Sequence, residues 1–384
     1  MTQRKVKRIL NKVVNVKKKQ SLRNGFTTGT AAAAATKGAL QYLLSHKKPD
    51  FVNIPFLSTG SIDITIQSCK KENKYTAVCM VIKDAGDDPD ITHKAEIFAR
   101  VSFVNNNENP KTEITGGEGI GIVTKPGLEI PPGEPAINPG PRKMIHQAIT
   151  DCFLRYNQAG SVHVEIFIPK GETLALKTLN ARLGILGGLS ILGTTGIVKP
   201  LSHKSYIATI DSALSVAKAS GCHQIILTTG RRSERYVHQY LEQVYKKAMP
   251  EEMVIQMGDF FTDAIRLAME KGFANICVAV FFGKAVKMAM GASCTHAAKS
   301  ILSIEMLSQW AETITGDSTF SKKIKESNTA REAFFHIWEQ YPVVIDFVGQ
   351  KVVESAQAYA DRSITIGCIV FDYEGSIVFK NENI

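Results

Sequence analysis

The chain has 384 residues, of which 44% are hydrophobic; this is enough to bury two cores and argues against a largely disordered protein. Its net charge of +10 comes from the beginning of the chain: residues 1–49 hold twelve of the 46 Lys and Arg residues and no Asp or Glu, so the remaining 34 basic residues nearly balance the 36 acidic ones. No run approaches the roughly 18 uncharged apolar residues of a membrane-spanning helix, and the N-terminus is basic where a secretory signal is apolar. We therefore expect a cytoplasmic protein of two domains that does not enter a membrane.

Residues 1–21 form a basic segment ahead of the first predicted helix. Such a run is typical of a solvated, flexible tail. The functional alternative is that it attracts an anionic substrate. We do not expect nucleic acid as a partner, because no recognition motif or pattern of stacking aromatic residues accompanies the charge.

The cysteines and histidines are scattered, without a C-x-x-C pair or the short spacing of a metal cluster. This argues against a disulfide framework and a structural zinc site, so we expect buried, reduced thiols and no protein-bound metal. The residues in question are Cys69, Cys79, Cys152, Cys222, Cys277, Cys294 and Cys368, and His93, His203, His223 and His296.

The first predicted helix follows Thr27, Thr28 and Thr30 and contains five consecutive alanines. The threonines are candidate N-caps. A helix of small residues lets another backbone or a flat ligand come close, and free N–H groups at its N-terminus can hold a carboxylate or phosphate. Simple capping explains the same residues, so both interpretations stay open.

Short alternating runs at 51–56, 61–67 and 75–83 predict a strand meander. The loop after it carries four carboxylates within seven residues, which repel each other, so some should be paired with a basic group or bound by N–H groups. Asp and Pro are ordinary turn residues, and turn formation is one explanation. The other is a general base or acid, or positioning of substrate amide and amine groups. The candidate catalytic residues are Asp84, Asp87, Asp88 and Asp90.

Strands at 95–104 and from 112 precede a long segment rich in Gly and Pro, residues 116–142. Loops of this length inside a compact domain are uncommon unless they serve a site, and glycine lets the backbone approach a ligand closely. The spacing is not G-x-G-x-x-G, so a dinucleotide fingerprint is not supported. A ligand-lining loop and a passive surface loop both remain open. A helix at 141–157 and a strand at 162–168 follow.

A second glycine-rich stretch, residues 181–200, is expected to contain the join between domains. We predict an α+β domain with the strand meander at 22–192 and a Rossmann-like α/β domain at 193–384. Helices and strands alternate from about residue 206 to 310, which predicts a mostly parallel sheet flanked by helices. Ligands in such folds bind beyond the carboxyl ends of the strands.

Two segments lie at predicted strand ends. Residues 228–234 follow one strand and open a helix, where Arg231, Arg232 and free N–H groups can bind an anion; two arginines on a wet surface are the alternative. Gly283 and Lys284 follow another strand, and His296 lies one helix further along. That histidine is as consistent with a partly buried imidazole as with a catalytic one.

Taken in order, these motifs resemble the CbiD family. The similarity runs from about residue 22 to near the end and departs at two points: Ala31 stands where the family often has Cys, and Phe281 and Phe282 precede Gly283 where the family usually has His and Pro. These departures argue against an essential thiol or histidine at those positions. The motifs are LRNGFTTGTA (22–31), KDAGDDPD (83–90), 116–126, PGPR (139–142), 193–200, TGRRSE (229–234) and GDF (258–260).

The resemblance implies methyl transfer from S-adenosylmethionine to C1 of cobalt-precorrin-5B, giving cobalt-precorrin-6A in the anaerobic cobalamin pathway. Positioning and exclusion of water should supply most of the rate, without a protein metal, since cobalt enters with the substrate. The corrin precursor is flat, apolar on its faces and rimmed by carboxylates, which suits glycine loops and arginine clamps. Transient contact with neighbouring pathway enzymes and oligomer formation stay open.

Within this resemblance we expect side chains of the first helix and three arginines to bind the substrate, and the two glycine-rich loops to bind the cofactor. The substrate-binding candidates are Thr27, Thr28, Arg142, Arg231 and Arg232. The cofactor-binding candidates are Gly116, Gly117, Glu118, Gly119, Gly121, Gly193, Thr194, Thr195 and Gly196.

Two other classes of function stay open on the residues alone. A nicotinamide-dependent reductase acting on a corrinoid or tetrapyrrole would fit the α/β half, although the expected dinucleotide fingerprint is missing from the sequence. A non-catalytic binding protein would make use of the basic tail.

Overall fold

The structure is a computed structural model that describes residues 22–105, 110–246, 249–291, 300–360 and 363–381. The predicted tail (residues 1–21), Cys294 and His296 lie outside the described residues. The chain packs as two units: the first comprises residues up to 121 with 135–178 and 187–201, and the second comprises 122–134, 179–186 and 202–384. Each unit has its own hydrophobic core. A single boundary after residue 192 therefore describes the division only approximately, because 122–134 and 179–186 pack with the second unit and 193–201 pack with the first.

The first unit is built on five strands: β4 (Ser68–Lys71), β5 (Thr76–Ile82), β6 (Glu96–Val104), β7 (Thr112–Gly116) and β9 (Ser161–Phe167). Their order in the sheet is β4-β5-β6-β9-β7. The β4–β5, β5–β6 and β6–β9 pairs are antiparallel, and β7 runs parallel to β9. The predicted α+β unit with a strand meander is confirmed, although β4 was not foreseen.

Two helices, α1 (Thr28–Ser45) and α2 (Pro139–Tyr156), pack together, and α1 also contacts β5 and β6. The alanine run, residues 31–35, is fully buried. Its small side chains let the neighbouring elements approach the helix closely. The unit also contains the short pairs β1 (Gly25–Phe26) with β11 (Ile197–Val198) and β2 (Phe51–Pro55) with β3 (Ser61–Thr65), and the short helix α3 (Gly171–Ala175).

The second unit contains β12 (Gln224–Thr228), β13 (Val254–Gln256), β14 (Asn275–Phe281), β15 (Thr365–Phe371) and β16 (Ile377–Lys380). The sheet order is β13-β12-β14-β15-β16; the first four strands are parallel, and β16 runs antiparallel at the edge. The strands are strongly apolar and buried, as expected for a sheet covered by helices. The predicted mostly parallel sheet is confirmed.

The helices of this unit are α4 (His203–Ala219), α5 (Arg231–Tyr245), α6 (Phe261–Glu270), α7 (Phe282–Ala289), α8 (Ser300–Thr315), α9 (Ser318–Lys325), α10 (Ala330–Gln340) and α11 (Val343–Gln357). A small antiparallel pair, β8 (Ile122–Val123) with β10 (Ile185–Leu186), belongs to the same unit. Within the described ranges, no helix combines the length and apolarity needed to cross a membrane.

The cysteine prediction needs one correction. Cys69 and Cys79 lie directly opposite each other on β4 and β5 and form a disulfide. The pairing depends on strand register, which spacing in the sequence does not reveal. The free cysteines within the described residues, Cys152, Cys222, Cys277 and Cys368, are buried as expected. In the part of the chain that the structure describes, no group of three or more His, Cys, Asp or Glu side chains is arranged to hold a metal ion.

Candidate functional site

One extended stretch of the first unit, which we call the 187–198 segment, connects motifs that lie far apart in the sequence. Its carbonyl groups accept hydrogen bonds from the backbone N–H groups of Gly121 (2.9 Å), Asn138 (2.9 Å), Gly29 (3.1 Å) and Thr27 (3.0 Å). The motifs at 22–31, 116–126 and 193–200, together with the residue that precedes PGPR, therefore meet along this segment. We therefore take the 187–198 segment and the N-terminus of α1 as the first candidate region.

The threonines at the start of α1 are used by the fold itself. Thr27 Oγ1 accepts a hydrogen bond from the Thr30 N–H (3.2 Å), which makes Thr27 the N-cap. Thr30 Oγ1 donates to the Gly196 carbonyl (2.7 Å), and Thr28 Oγ1 accepts from the Leu192 N–H (2.9 Å). Thr27 and Thr28 are only 6% and 3% exposed. Their hydroxyl groups therefore hold the 187–198 segment against the helix.

The candidate glycines pack mainly against protein backbone. Gly119 has φ +71° and lies against the Ile168 carbonyl and Gly171, so a side chain there would collide with main-chain atoms. Gly193 has φ +140° and lies against Thr27. The close approach expected between glycine and a ligand is thus, at these two positions, an approach between two parts of the chain. The exposed members of the cofactor-binding set are Glu118, Thr194 and Thr195, whereas Gly116, Gly117 and Gly193 are half-buried and Gly121 and Gly196 are buried.

Two of the four aspartates form ion pairs. Both carboxylate oxygens of Asp84 accept hydrogen bonds from the Arg23 guanidinium, which holds the pKa of Asp84 at about 2, below its usual 3.8. Asp90 pairs with the Lys83 ammonium group at 2.6 Å, and the Lys83 side chain is only 1% exposed. Burial acts to raise the pKa of Asp90, but the Lys83 charge and hydrogen bonds from Thr92 outweigh it and lower the pKa.

The other two aspartates accept hydrogen bonds from the backbone. Asp87 accepts from the N–H of Arg23 (2.6 Å), and Asp88 accepts from the N–H of Leu201 (2.9 Å). The expectation that the clustered carboxylates are paired or bound by N–H groups is confirmed for all four. Among them, Asp87 is the exposed residue and the others are half-buried.

Arg142 lies in the first turn of α2 and binds two backbone carbonyls. Its Nε donates to Ile137 (3.0 Å) and its Nη1 donates to Ile114 (3.2 Å). These bonds use two of its five N–H groups and fix the plane of the guanidinium. Burial and the charge of Arg142 lower the pKa of His146 one turn further along.

A second candidate region lies at the carboxyl ends of the strands in the second unit. Arg231 is exposed at the start of α5, directly after β12. Arg232 is held by the fold: its guanidinium donates to the Tyr373 carbonyl and lies 4.8 Å from the centre of the Phe281 ring. Of the two predicted arginines, Arg231 is therefore the one available to a ligand.

Sequence reasoning did not assign roles to three further charged residues that follow the strands of this unit. Lys284, three residues after the end of β14, forms an ion pair with Asp259, three residues after the end of β13. Burial and then the Lys284 charge lower the pKa of Lys287, while Asp259 acts to raise it. We call Arg231, Asp259, Lys284 and Lys287 the edge cluster. Their positions in the sequence could have indicated these residues, because both Asp259 and Lys284 follow predicted strands within motifs already noted.

Aromatic side chains line the same end of the sheet. The Phe260 ring lies 5.0 Å from that of Tyr206 and 5.3 Å from that of His203. Burial, with a smaller contribution from Asp259, raises the pKa of the Tyr206 hydroxyl. The region thus combines cationic groups with an apolar wall.

Comparison with known proteins gives the following similarities. The CbiD family model matches residues 15–200, and the model of the CbiD C-terminal domain matches residues 294–382. A cobalt-precorrin-5B C(1)-methyltransferase from Pelobacter propionicus is 42% identical over 94% of this chain and 96% of its own. A protein of the same name from Geobacillus thermodenitrificans is 41% identical over 82% of each chain. A crystal structure of a cobalamin biosynthesis protein (cbiD) from Archaeoglobus fulgidus is 26% identical, with a TM-score of 0.37, over 68% of this chain and 78% of that one.

Proposed function

Because the chain belongs to the CbiD family, we propose that it transfers a methyl group from S-adenosylmethionine to C1 of cobalt-precorrin-5B in cobalamin biosynthesis, giving cobalt-precorrin-6A. The observation that carries the proposal is the similarity to a cobalt-precorrin-5B C(1)-methyltransferase along almost the whole length of both chains. The meeting of distant motifs along the 187–198 segment supports it, because motifs on which the resemblance rests are brought to one region.

Methyl transfer requires an electron-rich ring carbon aligned with the donor methyl group in a site that excludes water. When bound, S-adenosylmethionine supplies that methyl group in activated form. The candidate glycines fit the cofactor only in part, since Gly119 and Gly193 contact the protein's own chain. The exposed side chains of Glu118, Thr194 and Thr195 offer a carboxylate and two hydroxyl groups, which suit an ammonium group and ribose hydroxyls. We assign cofactor binding to these three.

The aspartate loop divides into residues that build the site and one that can face a ligand. Asp84 and Asp90 are ion-paired with lowered pKa values, which makes them weak bases, and Asp88 binds the Leu201 N–H. Asp87 is exposed and uses one oxygen for the Arg23 N–H. We therefore assign contact with the reacting substrate to Asp87 and assign the other three to holding the loop.

Arg142 is the substrate-binding candidate of the first unit. Its bonds to two backbone carbonyls orient the guanidinium and leave N–H groups for a carboxylate of the corrin rim. Arg231 has the same role in the second unit.

The test is to incubate the purified protein with cobalt-precorrin-5B and S-adenosylmethionine labelled in the methyl group. We expect label in the corrinoid and an equal amount of S-adenosylhomocysteine. Reduction of a corrinoid or tetrapyrrole by NADPH without transfer of label would instead identify a reductase. Binding of RNA without any turnover would support a non-catalytic protein.

A further inference from the structure

We propose that a surface of arginine and aromatic side chains in the second unit binds carboxylate groups on the rim of the substrate. The inference rests on the proposed function, because it takes a corrin precursor with free acetate and propionate groups as the ligand. It adds Arg235 and Arg331 to Arg231 as binding residues. The arginine–aromatic surface comprises Arg232, Arg235, Tyr236, Phe281, Arg331 and Tyr373.

A continuous series of contacts joins the residues of the arginine–aromatic surface. The Arg235 guanidinium lies 5.2 Å from the centre of the Tyr236 ring. The Arg232 guanidinium lies 6.0 Å from the centre of the same ring and donates a hydrogen bond to the Tyr373 carbonyl. The Arg331 guanidinium in turn lies 5.3 Å from the centre of the Tyr373 ring. These contacts bring an arginine of α5 and an arginine of α10 onto one surface.

The surface lies at the end of the sheet where ligands bind in folds of this kind. Phe281 is the last residue of β14, Tyr373 comes two residues after β15, and Arg232 comes four residues after β12. These three strands are parallel neighbours in the sheet, so their carboxyl ends meet at one edge. Open parallel sheets bind ligands beyond that edge. The arginines therefore lie where the fold itself favours a binding site.

The two added arginines have no carboxylate partner among the residues that the structure describes. Arg235 and Arg331 are both exposed, and their described contacts are with aromatic rings. The turn after β15 contains two acidic residues. Asp372 accepts three hydrogen bonds from backbone N–H groups of its own turn, and Glu374 is exposed and forms no described ion pair. The surface therefore offers guanidinium groups with which the carboxylates of a ligand can pair.

The chemistry of the surface selects a ligand with several negative charges. Stacking on an aromatic ring fixes the plane of a guanidinium and leaves N–H groups at its edge, which can bind a carboxylate with two parallel hydrogen bonds. Arg231 and Arg235 are four residues apart on α5 and so project from the same side of the helix. Arginines on two helices suit the several carboxylates of a corrin rim. S-Adenosylmethionine is cationic overall, because its sulfonium and ammonium groups outnumber its one carboxylate, and is the poorer match.

The experiment measures binding of two matched probes by titration: cobyrinic acid, which carries free rim carboxylates, and its fully methylated ester, which carries none. The variants are Arg235→Gln, Arg331→Gln, the double variant and Arg331→Lys, which keeps the charge. The control is Arg155→Gln, because Arg155 is an exposed arginine of the first unit whose guanidinium lies 5.7 Å from the centre of the Tyr156 ring. Thermal melting of every variant and the Kd for S-adenosylmethionine are measured alongside.

We expect Arg235→Gln and Arg331→Gln each to weaken binding of the acid about tenfold, the effect of losing one charge-assisted hydrogen bond. The double variant should lose about a hundredfold, because the two residues lie on different helices and their effects should add. Arg331→Lys should recover part of the loss, since it restores the charge but not the paired N–H groups. Melting temperatures, the affinities for the ester and for S-adenosylmethionine, and acid binding by the Arg155→Gln control should not change.

Equal losses for acid and ester, or an unchanged affinity for the acid in either Arg235→Gln or Arg331→Gln, would overturn the inference. Weaker binding of a single-stranded RNA oligonucleotide by these variants, with acid binding unchanged, would assign the arginines to nucleic acid instead. Failure of the proposed function gives a different result: the wild-type protein would transfer no methyl label, while acid binding would still depend on Arg331. Wild-type methyl transfer with an unchanged acid affinity in the double variant would remove the site and leave the function standing.

Discussion

Asp84 and Asp90 share a loop but differ in the environment of their partners. Arg23 is 57% exposed, whereas the Lys83 side chain is almost fully buried. An exposed pair contributes little to stability, but a buried ammonium group left without its carboxylate is costly. The two aspartates should therefore respond differently to neutral substitution, although the sequence alone shows them as equivalent members of a cluster.

We predict that Asp90→Asn lowers the free energy of unfolding by about 2–3 kcal/mol, because Lys83 loses its counter-ion inside the first unit. Urea unfolding measures this. Asp87→Asn is the matched control and should change stability by less than about 0.5 kcal/mol, since Asp87 is exposed. Similar losses in both variants would mean that the loop is held by its overall charge and not by the Lys83–Asp90 pair.

The same Asp87→Asn variant tests whether Asp87 takes part in methyl transfer. If Asp87 meets the reacting substrate, turnover should fall by about two orders of magnitude with unchanged melting. Methyl transfer at saturating substrate measures it. Near-normal turnover would withdraw Asp87 from the site and leave the whole loop with a structural role.

Arg23 controls the titration of Asp84. We predict that Arg23→Gln raises the pKa of Asp84 from about 2 toward its ordinary 3.8. A lowered pKa stabilises the folded state above the unfolded pKa, and this stability is lost as the pH falls from about 4 toward 2, so the variant should lose stability less steeply in that interval. Carbon NMR of the Asp84 carboxyl group, assigned with an Asp84→Asn sample, measures the pKa. An unchanged pKa would show that the Gly86 N–H, and not Arg23, is the dominant partner.

Phe281 and Phe282 stand where the family usually has His and Pro, and the structure explains what they do here. Phe282 is fully buried, with its ring 5.1 Å from that of Phe334, and Phe281 supports the Arg232 guanidinium. Apolar packing thus occupies this turn. The basic residue of this turn is Lys284, which directly follows Gly283 and belongs to the edge cluster.

At the scale of elements, the 187–198 segment shows why glycine-rich sequence is ambiguous. Glycine permits close approach whether the neighbour is a ligand or another backbone, and the sequence does not identify the neighbour. Gly119 and Gly193 proved to face protein, whereas Gly230 faces open space. The helices and strands themselves were largely predictable from hydrophobic periodicity and turn residues, because those signals are local.

We predict that Thr28→Val destabilises the protein by about 0.5–1.5 kcal/mol, because the buried Thr28 hydroxyl no longer accepts a hydrogen bond from the Leu192 N–H. Thr194→Val removes a hydroxyl group from an exposed position of the same segment and should change stability by less than about 0.5 kcal/mol. Thermal melting of the two variants provides the comparison. Equal melting temperatures would mean that the segment is not held to α1 by Thr28.

On the scale of the whole molecule, alternation of helix and strand predicted the parallel sheet, but not its order. The direction in which each connection crosses the sheet depends on tertiary packing, so the position of β13 beside β12, outside β14, could not be deduced from the sequence. The sequence predicted the boundary between the two units only approximately, for a related reason. Residues 122–134 and 179–186 pair through β8 and β10, and Lys125 forms an ion pair with Glu252 of the second unit, contacts that no local pattern signals.

The distribution of charge over the whole chain gives the last prediction. Residues 2–14 contain five basic and no acidic residues and precede the region matched by the family model, which begins at residue 15. Deleting them should leave kcat and melting unchanged and should lower kcat/KM for the anionic corrin precursor at low salt, because long-range attraction raises the rate of encounter. Exposed charges are screened within about 10 Å at 0.1 M ionic strength, so the difference between full-length and shortened protein should shrink as salt is added. The kcat/KM for S-adenosylmethionine, which is cationic, serves as the internal control and should not fall. A loss of kcat beyond about tenfold at saturating substrate would show instead that the segment takes part in the reaction.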